Sequence, residues 1–445
     1  MEFSSLIFIF RFLPVFFVIY YVTPKKWRNF VLFVGSLVFY ACGDIRYLLL
    51  IILSVWINCV VTYEMSRCAE GLALKKLLFT GLLCGNIGVL LFFKYSGYTM
   101  PIGMSFYTFT VLSYIIDVYT GTAATERCMI NAGVYMIMFP KVLSGPIARY
   151  RDMSEQIRKR TVTSGGMEQG MTLFVIGLGF KVILANHFGM LWHDICSAGF
   201  DSISTPLAWI GAVGYSAQLF FDFQGYSLMA VGVGRWLGFY LPQNFNHPYR
   251  AKTVGEFYRR WHMTLGQWFK NYLYIPLGGN RKGTFRMVGN LLLVWLITGI
   301  WHGATCNFVL WGMLLGFFIV GEKLIWGKYL QKSRILGRVY IWILIPLTWI
   351  IFAVEKSADL KVYFSRLFPF WGSANYIRTT DYIRYLKNYT LFFALAFLVS
   401  LPYMDKLYKK YHNRTAYKLM LLVVFAICIY ELANGLNNPF LYFRF

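Results

Sequence analysis

The sequence predicts an all-α polytopic membrane protein, and its composition supplies the evidence. Hydrophobic residues make up 58% of the 445 residues, whereas charged residues make up only 14%. Soluble domains are about half apolar and about one quarter charged, so this balance excludes an ordinary soluble enzyme. Aromatic residues reach 20%, as expected for broad lipid contact and interfacial belts. Apolar segments recur from end to end without a polar linker, which predicts one membrane-embedded domain over residues 1–445.

The net charge of +24 lies between the apolar segments rather than within them. Basic loops of this kind are typical of the cytoplasmic side of a membrane protein, where they face an anionic leaflet. We therefore expect membrane lipids, and not nucleic acid, around these charges. The eight cysteines are scattered without a CxxC or zinc-type spacing, so we expect neither a disulfide framework nor a metal site.

The first half of the chain contains five apolar segments that we predict as spans. They are residues 3–21, 30–40, 47–61, 77–95 and 102–119. The first lacks a basic region before it and a small-residue cleavage site, so we expect it to be retained. Lys25, Lys26 and Arg28 follow it, which places this loop in the cytoplasm.

Residues 134–147 differ from the other apolar segments, because Pro140 and Gly145-Pro146 interrupt them. A full span here would put the basic loop 149–160 outside. We therefore expect a re-entrant or broken helix, which is tolerated at membrane depth only where protein or a water-filled cavity covers it.

The second half of the chain predicts further spans, which bring the count to eleven or twelve. They are residues 172–190, 207–233, 287–300, 307–320, 339–354, 391–401 and 418–432. Residues 244–286 are cytoplasmic by this count, but they are too aromatic for a free loop. We expect them to form amphipathic helices at the interface. Residues 355–387 fall outside by the same count, although they are net basic, which is the weakest point of the predicted topology.

Two histidines are the candidate catalytic residues. His302 ends the apolar run 287–300, where the count places it in the outer half of the membrane. An imidazole has an ordinary pKa of about 6.5, so it can take a proton from a hydroxyl. The alternative is a buried histidine that bonds a backbone carbonyl. His262 lies in the aromatic stretch 244–286, where it lines a tunnel entrance or simply orients an interfacial helix.

Basic residues between positions 259 and 282 form a dense cationic stretch that is a candidate surface for the phosphates of a cytosolic donor such as coenzyme A. They are Arg259, Arg260, Lys270, Arg281 and Lys282. Arginine favours bidentate contact with phosphate, although plain positive-inside determinants are the alternative. Gly278-Gly279-Asn280 predicts a turn without the spacing of a phosphate-binding loop.

Asp222 lies inside the apolar run 207–233 and needs a partner there. Lys181 and Arg235 are both candidates, and we interpret the carboxylate as structural rather than catalytic.

Motifs along most of the chain resemble, in their order and spacing, those of the membrane-bound O-acyltransferase family. Within that family they resemble the branch of the alginate O-acetylation membrane proteins. The matching pieces are Phe3-Ser4-Ser5 with Phe12-Leu13-Pro14, residues 36–41, 101–109, 113–119, 145–151, 221–227, Arg260-Trp261-His262, residues 272–281, Trp301-His302-Gly303-Ala304, Asn307, Leu310-Trp311-Gly312 and residues 440–445. One departure is Cys306, where many relatives carry an aromatic residue.

The resemblance implies a ring of tilted helices around a thin centre, with a central tunnel entered from both faces. His302 matches the family's catalytic histidine and His262 its supporting one. Members of this branch take an acyl group, usually acetyl, from a cytosolic thioester and make it available for O-acylation of an extracytoplasmic polysaccharide. A separate outward-facing acyltransferase partner is often involved, and the membrane is the plasma or inner membrane.

Three alternatives stay open beside this enzyme. The chain could act as an acyl-export conduit that relays the group to an outward-facing transferase. D-Alanyl transfer to teichoic acid fits less well, because residues 274–281 match the alginate-type branch better. A solute transporter is disfavoured, since the sequence shows no inverted repeat or paired broken helices.

Overall fold

The computed structural model describes residues 2–303, 305–368 and 380–435. These residues form helices joined by turns and loops, without strands. Contacts divide the chain into two compact units: Met1–Gly177 with Tyr226–Gln243, and Leu178–Gly225 with Asn244–Phe445. The single domain predicted for residues 1–445 stays a prediction. The predicted motif at residues 440–445 lies outside the described residues, as do Ala304 and part of the predicted outer segment 355–387.

Seven helical stretches in the described ranges are long and apolar enough to cross a membrane. They are Lys25–Arg67, Ala73–Tyr95, Ser164–Ala198, Thr284–His302, Cys306–Lys332, Arg334–Ala353 and Thr415–Ala433. Lys25–Arg67 contains two of the predicted spans, which a short turn at Ile45–Tyr47 separates. Phe8–Val22 and Met129–Val142 are apolar but shorter. The all-α polytopic class is therefore confirmed, while the count of eleven or twelve spans stays a prediction.

The first unit contains most of the N-terminal helices. Its helices are Leu13–Val22, Arg28–Asp44, Leu48–Arg67, Ala73–Tyr95, Met104–Tyr119, Met129–Ile137, Phe139–Val142 and Tyr150–Arg158, with a π-helical turn at Phe8–Phe12 and the start of Ser164–Gly179. Aromatic rings fill its core, where Phe39 and Phe139 lie 5.5 Å apart. Asn58 and Asn86 exchange side-chain hydrogen bonds of 3.2 and 2.7 Å, which join two apolar helices.

The predicted interruption of residues 134–147 is present. One helix ends at Ile137, and a four-residue helix, Phe139–Val142, follows after Met138. The backbone N–H of Phe139 donates to the Ser36 hydroxyl at 3.1 Å, so a donor released by the break is satisfied within the protein. Gly145 packs so closely that an added Cβ would lie 2.4 Å from the carbonyl oxygen of Pro140. The helix is therefore broken, and its return to the cytoplasmic side stays a prediction.

The second unit carries both candidate histidines. Its helices are Asn186–Ala198, Val254–Arg260, Met263–Phe269, Thr284–His302, Cys306–Gly321, Gly327–Lys332, Arg334–Ala353, Ser357–Leu367, Asp381–Ser400, Tyr403–Tyr411 and Thr415–Ala433, with most of Thr205–Trp236 and π-helical turns at Phe180–Ala185, Lys270–Tyr274 and Glu322–Trp326. Residues 244–286 fold into short helices instead of a free loop, as predicted.

The partner of Asp222 is Lys181. The Lys181 Nζ lies 2.6 Å from Asp222 Oδ1, and both side chains are only 2% exposed. Arg235 instead places its guanidinium over the ring of Tyr240, 3.8 Å from the centroid. A buried ion pair of this kind is consistent with the structural role predicted for Asp222.

Candidate active site

Two antiparallel helices, Thr284–His302 and Cys306–Gly321, form a hairpin that we call the histidine hairpin. Two glycines bring their backbones together. A Cβ on Gly299 would lie 2.6 Å from the carbonyl oxygen of Phe308, and a Cβ on Gly312 would lie 2.5 Å from that of Trp295. Small residues allow such close approach between membrane helices, and here they fix the position of His302 at the end of its helix.

Aromatic rings surround the imidazole of His302. The Trp301, Phe352 and Trp311 ring centroids lie 4.4, 5.0 and 5.1 Å from it. The Asn307 side chain donates to the carbonyls of Ile351 and Phe352 at 3.1 and 3.2 Å, which ties the hairpin to the Arg334–Ala353 helix. His302 is 7% exposed, so its imidazole is buried among aromatic rings at the end of the hairpin helix.

His262 lies in an unusual backbone conformation for a residue other than glycine. Its φ angle is 44°, in the left-handed region, and it immediately precedes the helix Met263–Phe269. Its Nδ1 lies 3.2 Å from Asn244 Oδ1, and the ring of Phe223 stands perpendicular to the imidazole at 4.6 Å. Backbone strain that the surroundings hold in place is a frequent property of functional residues.

The hydrogen bonds of Asn244 define the tautomer of His262. Asn244 Oδ1 accepts from the Thr264 hydroxyl at 2.6 Å and from the Thr264 backbone N–H at 3.4 Å, so this atom is an acceptor. Nδ1 of His262 therefore donates, and Nε2 carries the lone pair. Burial lowers the pKa of His262 to about 3, which keeps the ring neutral at physiological pH.

A cavity of about 650 Å³ joins the two histidines. Both His262 and His302 line it, and the indoles of Trp311 and Trp349 contribute to its wall between them. Trp349 lies 5.7 Å from Trp311 and 5.2 Å from Trp261. The hairpin contributes one face of a helix, namely Leu291, Val294, Trp295, Thr298 and His302. The structure thus brings the two predicted catalytic residues to one space.

Only some of the basic residues predicted for the docking surface line the cavity. Arg259 and Lys270 line it. Arg260 is not among its lining residues; this guanidinium pairs with Glu256 at 2.9 Å and donates to the Asn246 carbonyl at 3.2 Å. Arg281 and Lys282 also lie outside the lining, in the turn after Ile275. Gly278 and Gly279 have φ angles of 104° and 55°, so the turn predicted there is confirmed.

Several charged and polar lining residues escaped the sequence analysis. Lys323 and Glu322 follow the apolar run 307–320, where a charge suggests only the end of a span, and Gln331 lies further along. Asn244, which holds His262, was also missed because it is 18 residues away in sequence. Cys306, the departure noted above, is exposed and does not line the cavity.

Comparisons with known proteins match the part of the chain that contains both histidines. The model of MBOAT, the membrane-bound O-acyltransferase family, matches residues 129–365, which include both histidines. The probable alginate O-acetylase AlgI of Pseudomonas fluorescens is 36% identical over 83% of this chain and 76% of its own length. The peptidoglycan O-acetyltransferase of Helicobacter pylori is 31% identical over 81% and 78%. The teichoic acid D-alanyltransferase of Bacillus subtilis is 28% identical over 48% and 56%.

Proposed function

The chain belongs to the membrane-bound O-acyltransferase family, and we propose that it transfers an acetyl group from a cytosolic thioester to hydroxyls of an extracytoplasmic polysaccharide. It is a multi-pass membrane O-acyltransferase. The observation that supports the finer proposal is the single cavity lined by His262, His302 and the cations Arg259 and Lys270. A base and an anion-binding surface in one space are what a charged thioester donor requires.

His302 is the general base of the proposed reaction. Its imidazole takes the proton from an acceptor hydroxyl, whose oxygen then attacks the thioester carbonyl. The tetrahedral intermediate collapses, the C–S bond breaks, and the imidazolium returns the proton to the departing thiolate. The surrounding indoles exclude water, which would otherwise hydrolyse the thioester.

His262 lines the same cavity as His302, and in the proposed reaction it binds a substrate. Because Asn244 accepts a hydrogen bond from its Nδ1, Nε2 carries the lone pair. Nε2 can therefore accept a hydrogen bond from either substrate, the acyl donor or the hydroxyl acceptor. Its strained backbone and its burial keep the ring in one orientation. We therefore assign it to substrate orientation.

The donor is acyl-CoA, with acetyl-CoA as the specific proposal. Arg259, Lys270 and the exposed Lys323 line the cavity and can contact its phosphates. Arg260 and Arg281 remain predictions for the surrounding docking surface. The hairpin helix Cys306–Gly321 spans about 24 Å, which separates Lys323 from the tip at His302 and leaves room for an extended pantetheine arm.

The proposal for the acceptor is supported by the relatives' names, which mention alginate and peptidoglycan O-acetylation. We propose a cell-surface polysaccharide, reached from the outer side of the inner membrane with an outward-facing acyltransferase as partner. D-Alanyl transfer is the less favoured proposal, because that relative matches a shorter part of the chain at lower identity.

The test is acetyl transfer by the purified chain in lipid nanodiscs, with labelled acetyl-CoA and a soluble oligosaccharide acceptor. We expect His302→Ala to abolish transfer while the protein remains folded and monodisperse. Full transfer by that variant would contradict the base assignment. Transfer that needs a second protein even for the wild type would favour the conduit. Mass spectrometry of surface polymers from a deletion strain then identifies the lost ester.

A further inference from the structure

Glu322 connects the histidine hairpin to the helix that carries Arg259. It directly follows the hairpin helix Cys306–Gly321, at the end opposite to His302, and it is buried. Its carboxylate accepts hydrogen bonds from the backbone N–H groups of Val254 and Gly255, the latter at 2.9 Å. These two residues begin the helix Val254–Arg260, which we call the arginine helix.

The arginine helix borders the cavity near both of its ends, and Gly255 near its start is a lining residue. Tyr258 and Arg259 line the cavity, and His262 follows three residues after Arg259. At Gly255 an added Cβ would lie 3.5 Å from Glu322 Oε2 and 3.6 Å from a guanidinium nitrogen of Arg259. The carboxylate and the guanidinium therefore both approach the position that a Gly255 side chain would occupy.

The contact joins segments that are 67 and 68 residues apart in sequence. The arginine helix is only seven residues long, too short to hold its position by its own hydrogen bonds. A carboxylate that accepts two backbone N–H groups provides a charge-assisted anchor at the helix start.

We propose that Glu322 is a positioning residue for the acyl donor. It holds the arginine helix against the hairpin, so that Arg259 meets the donor phosphates while the thioester reaches His302. This inference rests on the proposed acyl-CoA donor. It assigns Glu322 no contact with the reacting atoms. Removal of the carboxylate should therefore weaken donor binding and leave the chemical step largely intact.

The experiment compares Glu322→Ala, Glu322→Gln and the exposed control Glu355→Ala in nanodiscs. For Glu322→Ala we expect KM for acetyl-CoA to rise about tenfold with little change in kcat, because two hydrogen bonds to a charged group are lost. Glu322→Gln keeps a neutral hydrogen-bond acceptor, so its KM should lie between those of the wild type and Glu322→Ala. The control should stay within about twofold.

Hydrogen exchange without donor tests the geometry independently of acyl transfer. We expect the amides of residues 254 and 255 to exchange roughly tenfold faster in Glu322→Ala than in the wild type. Unchanged exchange, or a loss of kcat at unchanged KM, would overturn the positioning role. If the wild-type protein does not bind acetyl-CoA, the proposed donor is overturned. Faster exchange in Glu322→Ala than in the wild type would then still support the anchor.

Discussion

Asn244 Oδ1 lies 3.2 Å from His262 Nδ1, and this contact sets which imidazole nitrogen carries the proton. The same oxygen also accepts from Thr264, so Asn244 holds the start of the helix Met263–Phe269 as well as the ring before it. His262 is therefore oriented by Asn244, which is not among the residues that line the cavity.

Asn244→Ala should reduce acetyl transfer about tenfold, because His262 loses the acceptor that fixes its tautomer. The measurement is kcat/KM of the purified variant. Asn246→Ala is the matched control: Asn246 is exposed, and it bonds Arg260 through its backbone N–H and carbonyl, which alanine keeps. Equal losses in the two variants would argue against a specific role for the Asn244 side chain.

The protein should become less stable at acidic pH because His262 is buried as a neutral ring. Its folded pKa is depressed to about 3, whereas an unfolded histidine titrates near 6.5. Between these values the unfolded chain binds a proton that the folded chain does not, so stability falls as pH falls from 6.5 towards 3. Between pH 7 and pH 5 this group should cost about 2 kcal/mol.

Thermal unfolding of wild type and His262→Gln at pH 7 and pH 5 measures this contribution. The variant lacks the titrating ring, so acid should lower its Tm less than that of the wild type. An identical Tm decrease in the two proteins would show that His262 does not carry this linkage.

The backbone crossing of the histidine hairpin gives a second stability prediction. Gly299→Ala places a methyl group 2.6 Å from the Phe308 carbonyl, so the helices must separate and His302 must move. We expect a lower Tm and a loss of acetyl transfer. Gly289→Ala on the same helix meets nothing within 4 Å and should be neutral or stabilise by up to about 1 kcal/mol. Similar Tm losses at both positions would contradict a crossing-specific effect.

The buried pair of Lys181 and Asp222 predicts that removing one partner lowers the stability of the protein much more than removing both. Asp222→Ala leaves an ammonium in a site that is 2% exposed, and it should destabilise the protein by about 3–5 kcal/mol. Adding Lys181→Met should recover much of that loss, because the orphaned charge is removed. Melting temperatures of the single and double variants measure the coupling.

Glu64→Gln is the control for an exposed pair, since Glu64 and Arg67 are 52% and 65% exposed. It should change stability by less than about 1 kcal/mol. If Asp222→Ala is equally mild, the buried pair contributes no more than a surface pair does.

The sequence alone predicted the all-α membrane fold class, and it singled out His262 and His302 as candidate residues. Membrane helices are read from composition, because a bilayer demands long apolar segments whose backbone bonds are internal. The break near Pro140 followed from the chemistry of proline. His302 was noticeable because an ionisable group inside an apolar run is costly. The resemblance to the family then implied the catalytic and supporting roles that we propose for His302 and His262.

Tertiary structure alone decided which side chains share the cavity. Arg259 and Arg260 are neighbours in sequence, yet Arg259 lines the cavity and Arg260 pairs with Glu256. Successive residues on a helix point about 100° apart, so charge density along a chain cannot say which cation faces a ligand. Lys181 and Glu322 met their partners 41 and 67 residues away only through helix packing. Such contacts depend on where helices cross, and the close approach at Gly299 and Gly312 is one such crossing, within the histidine hairpin.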